Sequence, residues 1–314
     1  MEYLSEVKKS QCTARVVAYS ISEETQERII TYELEYPRII HSELLTHRLF
    51  SRNAASSRAI PVKTVVESVR EKAAMPVRFG ANQSGMQDKG EAINSPVAVA
   101  YGGMGQDVSM PPEEAWQYFA NVASGWAENY ASAGYHKQVA SRLIEPFVYM
   151  KTVVTFTGNG NNWFGLRDHV DADPTIAELA QAMKEAEELA PMVYLNTGDW
   201  HLPYYGECGA FFKGEDHGLE QAKRISASCC AQVSFRKLDN SSEKADKVFE
   251  RLVESKPVHA SPTEHQATPL KNGVGFRSHY VTHIDRDGNA WSGNFRNWGQ
   301  MRQVIEGNVI PDTI

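Results

Sequence analysis

The chain is poor in cysteine, has no long apolar run and carries no excess of positive charge, and each shortage removes a class of function. Its four cysteines among 314 residues, Cys12, Cys208, Cys229 and Cys230, show no CxxC spacing. Neither a zinc site nor a disulfide framework is encoded, so no metal is expected, and a reducing, cytoplasmic compartment fits best. No window approaches the roughly 18 apolar residues of a membrane span, and residues 1–15 scatter charges with no apolar core, so no membrane association is expected. A formal net charge of -7 argues against a protein whose task is to hold nucleic acid. No internal repeat or low-complexity tract is present. A chain of 314 residues can bury a substantial core, and a single elaborated domain over 1–314 is expected.

What is there reads as alternating strands and helices, an α/β (α+β) class. Residues 11–20 and 27–36 are rich in Val, Ile, Thr and Tyr and form an antiparallel pair. Pro37 starts a helix, and Ile40, Leu44, Leu45 and Leu49 carry it to about Phe50, with His47 and Arg48 in its last turn. A second helix opens at Pro61 with Val62, Val65, Val66 and Val69 on one face. Residues 80–109 are rich in Gly, Asn and Gln, lack periodicity and read as a long loop or lid. A long amphipathic helix follows from Pro111 toward Tyr135, then a buried strand over 147–157, a helical turn over 163–167 and a helix over 174–193. Residues 198–218 read as an aromatic loop insertion. Helices are expected over 219–235 and 243–254, a strand over 279–283, and a loop followed by a helix over 291–302.

The densest chemistry lies in residues 46–61, Thr-His-Arg-Leu-Phe-Ser-Arg-Asn-Ala-Ala-Ser-Ser-Arg-Ala-Ile-Pro. Arginine offers a planar fork of donors matched to phosphate oxygens, and serine hydroxyls beside loop amides add neutral donors, so the segment suits a nucleotide phosphate. Two further arginines, Arg142 and Arg167, flank the apolar strand at 147–157. An ion pair with Glu145, Asp168 or Asp171 would be the structural explanation for each.

The order of these residues resembles the signature of the flavin-dependent thymidylate synthases, the ThyX family: Arg-His-Arg, seven residues, Ser, and Arg two further on. His47, Arg48, Ser56 and Arg58 stand at the matching places. Arg142 with Pro146 matches the family's nucleotide-contacting Arg-x-x-x-Pro, and Asn162 with Leu166-Arg167 matches its Asn-x-x-x-Leu-Arg. His259-x-Ser261-Pro262-x-Glu264-His265 matches a flavin-contacting segment that in the family precedes the Arg-His-Arg helix. An Ala-rich helix like residues 227–234 precedes it there. Here both follow the Leu-Arg motif, so the order resembles a circular permutation, with 219–314 as the permuted portion folding back beside the strand at 27–36.

The resemblance implies a central, mainly antiparallel sheet flanked by helices, long helices at an oligomer interface, and a homotetramer with sites built from several subunits. It implies reductive methylation of dUMP at C5 with methylenetetrahydrofolate, FAD and NADPH. Arg167 would activate the uracil. Ser56, Ser57, Arg58, Arg142 and Glu43 would hold the nucleotide, and His47, Arg48, Asn53, Asn162, Ser261 and Glu264 would line the flavin. The physical need for Arg167 stands apart from the family: carbon 5 becomes nucleophilic only if negative charge at N3 and O4 is stabilised, which a desolvated cation does. No cysteine nucleophile is then required.

Four departures mark this chain. Thr46 replaces the first arginine of the signature, Ala54 replaces a nucleotide-side glutamate, Glu43 stands where glutamine is usual, and Asp171 stands near a flavin-contacting histidine. Long bacteriophage-encoded variants share the Thr-His-Arg form. They motivate two rivals: a C5 hydroxymethylase acting on dUMP or dCMP, and a non-catalytic nucleotide-binding protein.

Overall fold

The computed structural model describes residues 3–56, 58–85, 87–88, 92–100, 107–214, 218–233, 238–271 and 278–308. In chain order the first elements are β1 (Ser5–Lys8), β2 (Thr13–Ser22), β3 (Arg28–Pro37), α1 (His41–Leu45), β4 (Ser51–Ala54), α2 (Val62–Glu71), β5 (Val97–Ala100), β6 (Asp107–Met110), α3 (Pro112–Ser132) and α4 (Lys137–Ala140). Then come β7 (Tyr149–Thr157), α5 (Asn161–Arg167), α6 (Pro174–Leu189), β8 (Val193–Leu195), β9 (Trp200–His201), β10 (Ala210–Phe211), α7 (Leu219–Ala231) and α8 (Ser242–Phe249). The last strands are β11 (Ala267–Pro269), β12 (His283–Ile284), β13 (Ala290–Ser292), β14 (Phe295–Arg296) and β15 (Trp298–Gln300). The class is the expected mixture of helices and mainly antiparallel sheet.

The main sheet runs β1-β2-β3-β7-β4, with β8 parallel to β2 beyond the end of β1. Period-two alternation divides β3 and β7 between two faces. Ile30, Tyr32, Leu34 and Tyr36 pack with Met150, Val154 and Phe156 on one face, where α6 lays down Ile176, Leu179, Ala180 and Met183. Burying each large aliphatic side chain there contributes about 1.5–3 kcal/mol. Helix α6 begins where the sequence says it should. Asp173 accepts from the backbone N–H groups of Thr175 (2.8 Å) and Ile176 (3.2 Å), and Pro174 fills the first turn.

The opposite face is partly polar. Thr31 and Thr155 sit directly across from each other on β3 and β7, 2.7 Å apart at their hydroxyls. From them a buried chain of hydrogen bonds reaches His201 (Nε2 to Thr31, 2.8 Å), Ser20 (to His201 Nδ1, 2.9 Å) and His265 (Nδ1 to Thr155, 2.8 Å). His201 lies on β9 and His265 just before β11, strands of a second sheet ordered β10-β9-β11-β15. The C-terminal third therefore packs onto the face of β3 and β7. Gly209 lets the second sheet approach: its φ is +68°, and a Cβ there would lie 2.5 Å from that of Ala18.

Several expectations need correction. Residues 198–214 are not wholly a loop insertion, since β9 and β10 within them are buried strands of the second sheet; 215–217 lie outside the described residues. Within 80–109, β5 pairs with β6 as an antiparallel hairpin, and Gly80 bridges Ala92. Residues 291–302 form β13, β14 and β15 with a short 3-10 turn after them, not a loop and helix, and of residues 279–283 only His283 enters a strand. These strands are too short for a period to register in the sequence, and tertiary pairing makes them. Among the described residues no helix is long and apolar enough to cross a membrane, and no group of three or more His, Cys, Asp or Glu is placed to hold a metal ion.

Burial holds His201 and His265 near a pKa of 3, far below 6.5. In the unfolded chain both titrate near the ordinary value, about 6.5, so below that pH unfolding takes up protons that the fold excludes. The stability contributed by the neutral rings is complete above about pH 6.5 and lost as pH falls toward 3, on the order of 2 kcal/mol per histidine by pH 5. The urea midpoint should therefore drop clearly between pH 7.5 and pH 5.0; coincident midpoints would contradict this account of the polar face.

Candidate functional site

The helix that carries the signature ends earlier than its apolar spacing suggests. A 3-10 turn over Arg38–Ile40 leads into α1, which stops at Leu45. Thr46 donates its hydroxyl to the Glu43 carbonyl (2.7 Å), and the backbone closes in tight turns from Thr46 N to Glu43 O and His47 N to Leu44 O. Arg52 then reaches back to the carbonyls of Leu45 (2.7 Å) and His47 (3.4 Å), a cation on the exposed C-terminal end of the helix. Freed from the helix, residues 51–54 pair with β7 as β4, where a loop was expected.

This early stop turns His47 inward. Its ring is 7% exposed, stacks on Phe50 (5.7 Å between centroids) and meets Trp163 edge-on (4.8 Å). Arg167, the last residue of α5, arrives from across the fold. Its Nε donates to His47 Nε2 (3.0 Å), Nη1 to a Glu43 carboxylate oxygen (2.8 Å) and Nη2 to Thr46 Oγ1 (3.3 Å). Because a guanidinium only donates, His47 Nε2 must be the unprotonated nitrogen. Desolvation first, then the charges of Arg167 and Arg52, lower the His47 pKa to about 4. Glu43 moves the other way: burial raises its pKa against the opposing pull of Arg167, and Asp173 adds to the rise. Among the described residues the ion pairs of Glu145 and Asp168 go to partners other than these two arginines. Arg167 takes Glu43, Asp168 pairs with Lys184, and Glu145 pairs with Arg38 while Arg142 stays exposed.

Beside this junction lies an open cleft of about 520 Å³, walled by residues 46–50, 156–163, Trp291 and Arg296. His47, Arg48 and Asn162 line it, three of the six residues expected to touch flavin. The other three are engaged elsewhere or outside its wall. Asn53 donates to the Cys230 carbonyl (3.3 Å), and Ser261 is exposed on a 3-10 turn. Glu264 pairs with Arg302 and accepts from the backbone N–H of Arg52. That contact covers the outward edge of β4 and limits further strand addition.

The phosphate-side residues gather at the opposite end of β7. Ser56 and Arg58 form a turn, with the Arg58 N–H on Ser56 Oγ (3.3 Å), and Arg58 and Arg142 are both exposed. Ser57 lies outside the described residues. A second cleft of about 290 Å³ opens there between Arg38, Ala55, Ile60, Lys72, Ser141 and Lys151. In chain order Arg142 precedes β7 and Arg167 follows it, but α5 turns back: Arg167 reaches Glu43, five residues after Arg38, whose partner Glu145 stands three residues beyond Arg142. Thr46 contacts Glu43 and Arg167, while Ala54 pairs with Thr152 on β7.

Sequence reasoning missed Phe50, Trp163, Trp291, Arg296 and Arg302. The β13–β14 hairpin brings Trp291 to the cleft, anchored by Asn294 Nδ2 on the Leu49 carbonyl (2.9 Å) and the Arg296 N–H on Thr157 Oγ1 (2.9 Å). Those contacts span more than a hundred residues, and the only local signal was an Asn-containing turn between aromatics. Among the described residues no cysteine lines either cleft. Cys12, Cys229 and Cys230 are buried, and burial pushes the Cys229 thiol up to about 12.

No protein-family model matches the sequence, and no curated protein sequence matches it. Among solved structures, the chain is similar to a UMP/dUMP methylase, PolB, from Streptomyces cacaoi bound with 5-Br dUMP, at 17% identity and a TM-score of 0.37 over 52% of this chain and 68% of that one. The same methylase bound with 5-Br UMP gives 15% and 0.37 over 59% of this chain and 91% of that one. Thymidylate synthase X from Helicobacter pylori with FAD and dUMP gives 15% and 0.33 over 51% and 67%.

The Arg167 contact fixes a tautomer that can be measured. Long-range ¹H–¹⁵N spectra at pH 6 should show His47 neutral, with its proton on Nδ1, and a titration midpoint near 4. An imidazolium at pH 6, or a proton on Nε2, would contradict the geometry.

Proposed function

We propose that the chain is a flavin-dependent enzyme acting at carbon 5 of a pyrimidine nucleotide, by reductive methylation of dUMP with methylenetetrahydrofolate as carbon donor and NADPH as reductant. The observation that carries this reading is the junction of Arg167 with His47. Two motifs 120 residues apart meet through a 3.0 Å hydrogen bond beside an aromatic-walled cleft.

Three of the five guanidinium N–H groups of Arg167 are engaged by His47, Glu43 and Thr46, which leaves one on each terminal nitrogen for a ligand among the described residues. A pyrimidine placed there meets a fixed cation at the edge where charge develops when C5 acts as a nucleophile. His47, neutral and held against Phe50 and Trp163, keeps the guanidinium from rotating and adds no competing charge. Burial raises the thiol pKa of Cys12, Cys229 and Cys230, and among the described residues no cysteine lines the cleft, which agrees with activation by charge rather than by covalent addition.

The cleft suits FAD. Exposed Leu49 and half-buried Trp291 offer faces for a planar ring, while Arg48, Asn161, Asn162 and Arg296 bring donors for carbonyl and phosphate oxygens. FAD, when bound, supplies the electron pair for reduction of the transferred carbon. Ser56, Ser57, Arg58 and Arg142 are the proposed phosphate holders. In keeping with a homotetramer, a complete site draws residues from more than one copy.

Hydroxymethylation of dUMP or dCMP is the second reading, favoured by the gathering of two departures, Thr46 and Glu43, on Arg167. The mass of the product separates the two, the hydroxymethyl nucleotide being heavier by one oxygen. For either product, Arg167→Ala should keep its flavin band and lose turnover by roughly 10²–10³-fold or more, the cost of removing one transition-state donor. Near-normal turnover in that variant would overturn the assignment.

A further inference from the structure

Arg167 does not stand alone beside the base position. Among the described residues, and besides Arg167, the charged groups that act on Glu43 and His47 are Asp173 at the start of α6 and Arg52 on β4, and Arg48 and Arg296 line the cleft beside them. Asp173 is occupied by two backbone N–H groups of its own helix, and Arg52 by the carbonyls that end α1. His47 is neutral and Thr46 carries no charge. The carboxylate in hydrogen-bond contact with the guanidinium is that of Glu43, at 2.8 Å.

Resting on the nucleotide reading above, we propose that Glu43 is a positioning residue that sets how much of the Arg167 charge reaches the bound pyrimidine. Its carboxylate fixes the guanidinium plane together with His47 and Thr46, and its negative charge offsets part of the cation's field. An unpaired arginine would stabilise the N3 anion of the bound base in the ground state, which lowers the energy of the resting complex as well as the transition state. Paired with Glu43, the guanidinium leaves the base neutral on binding and still meets negative charge as it develops. Glu43 is 38% exposed at its side chain against 19% for Arg167, so the carboxylate lies on the more open side of the pair.

The test uses 5-fluoro-dUMP, whose ¹⁹F chemical shift reports ionisation at N3, bound to the intact flavin-loaded protein and titrated with pH. Glu43→Gln keeps an acceptor for Arg167 Nη1 and removes the charge. The N3 pKa of the bound ligand should fall by about one unit relative to wild type, a tenfold gain in the anion at fixed pH. Arg167→Ala should move it the opposite way. Glu43→Ala, which also removes the acceptor, should weaken binding. If Arg167→Ala shifts the ligand's pKa and Glu43→Gln leaves it unchanged, the role of Glu43 is overturned and the nucleotide site stands. If wild type fails to bind 5-fluoro-dUMP, the nucleotide reading falls and this inference with it.

Discussion

Strand β7 is hydrogen-bonded along one side to β3 over all its nine residues and on the other to β4 over four, so it is an extended rod whose ends cannot approach each other. Everything chemical in the chain is arranged about it. The turn before it carries Arg142, and the helix after it carries Arg167. Strand β4, short and antiparallel, delivers His47 and Phe50 to one end and Ser56 and Arg58 to the other. The rod holds two clefts in fixed relation: the one at Ala55 and Lys151 opens against its first residues, and the one beside His47 is walled by Phe156 and Thr157 at its end.

The two faces of the rod have different tasks. The apolar face, under α6, supplies packing and seats Phe156 and Trp163 against His47. The polar face docks the C-terminal third through Thr155 and Thr31, joined to His265 and His201. A hydroxyl ladder on a sheet specifies register more sharply than apolar contact does, because a slip would leave buried donors unpaired. It is the means by which the C-terminal segment, wherever it stands in chain order, is seated beside β3.

Much of this was legible where local rules apply. The strands of residues 13–22 and 28–37, the helix opened by Asp173-Pro174, and the long helix from Pro112 follow from composition, capping and periodicity. The resemblance assigned His47 to the flavin and Arg167 to the uracil, but their direct contact, and the pairing with Glu43 and Thr46, were not legible: both need the helix to stop at Leu45. Leu49 prolongs the apolar period past that point, and the residue that ends the helix, Arg52, does so from the next strand. The two-residue strands of the second sheet carry too few side chains to show a period. Trp291, Arg296 and Arg302 lie in a segment whose contacts are all distant, and Glu264 reads as a ligand contact in sequence while it covers the edge of β4 in the fold.

The account stands on a flavin and a pyrimidine nucleotide sharing the region around Arg167 and His47. The visible absorbance of the freshly purified protein, recorded with and without added dUMP or dCMP, tests that most directly. An oxidised flavin band that shifts with one of the nucleotides is the predicted result. A colourless protein that cannot be reconstituted with FAD would contradict it.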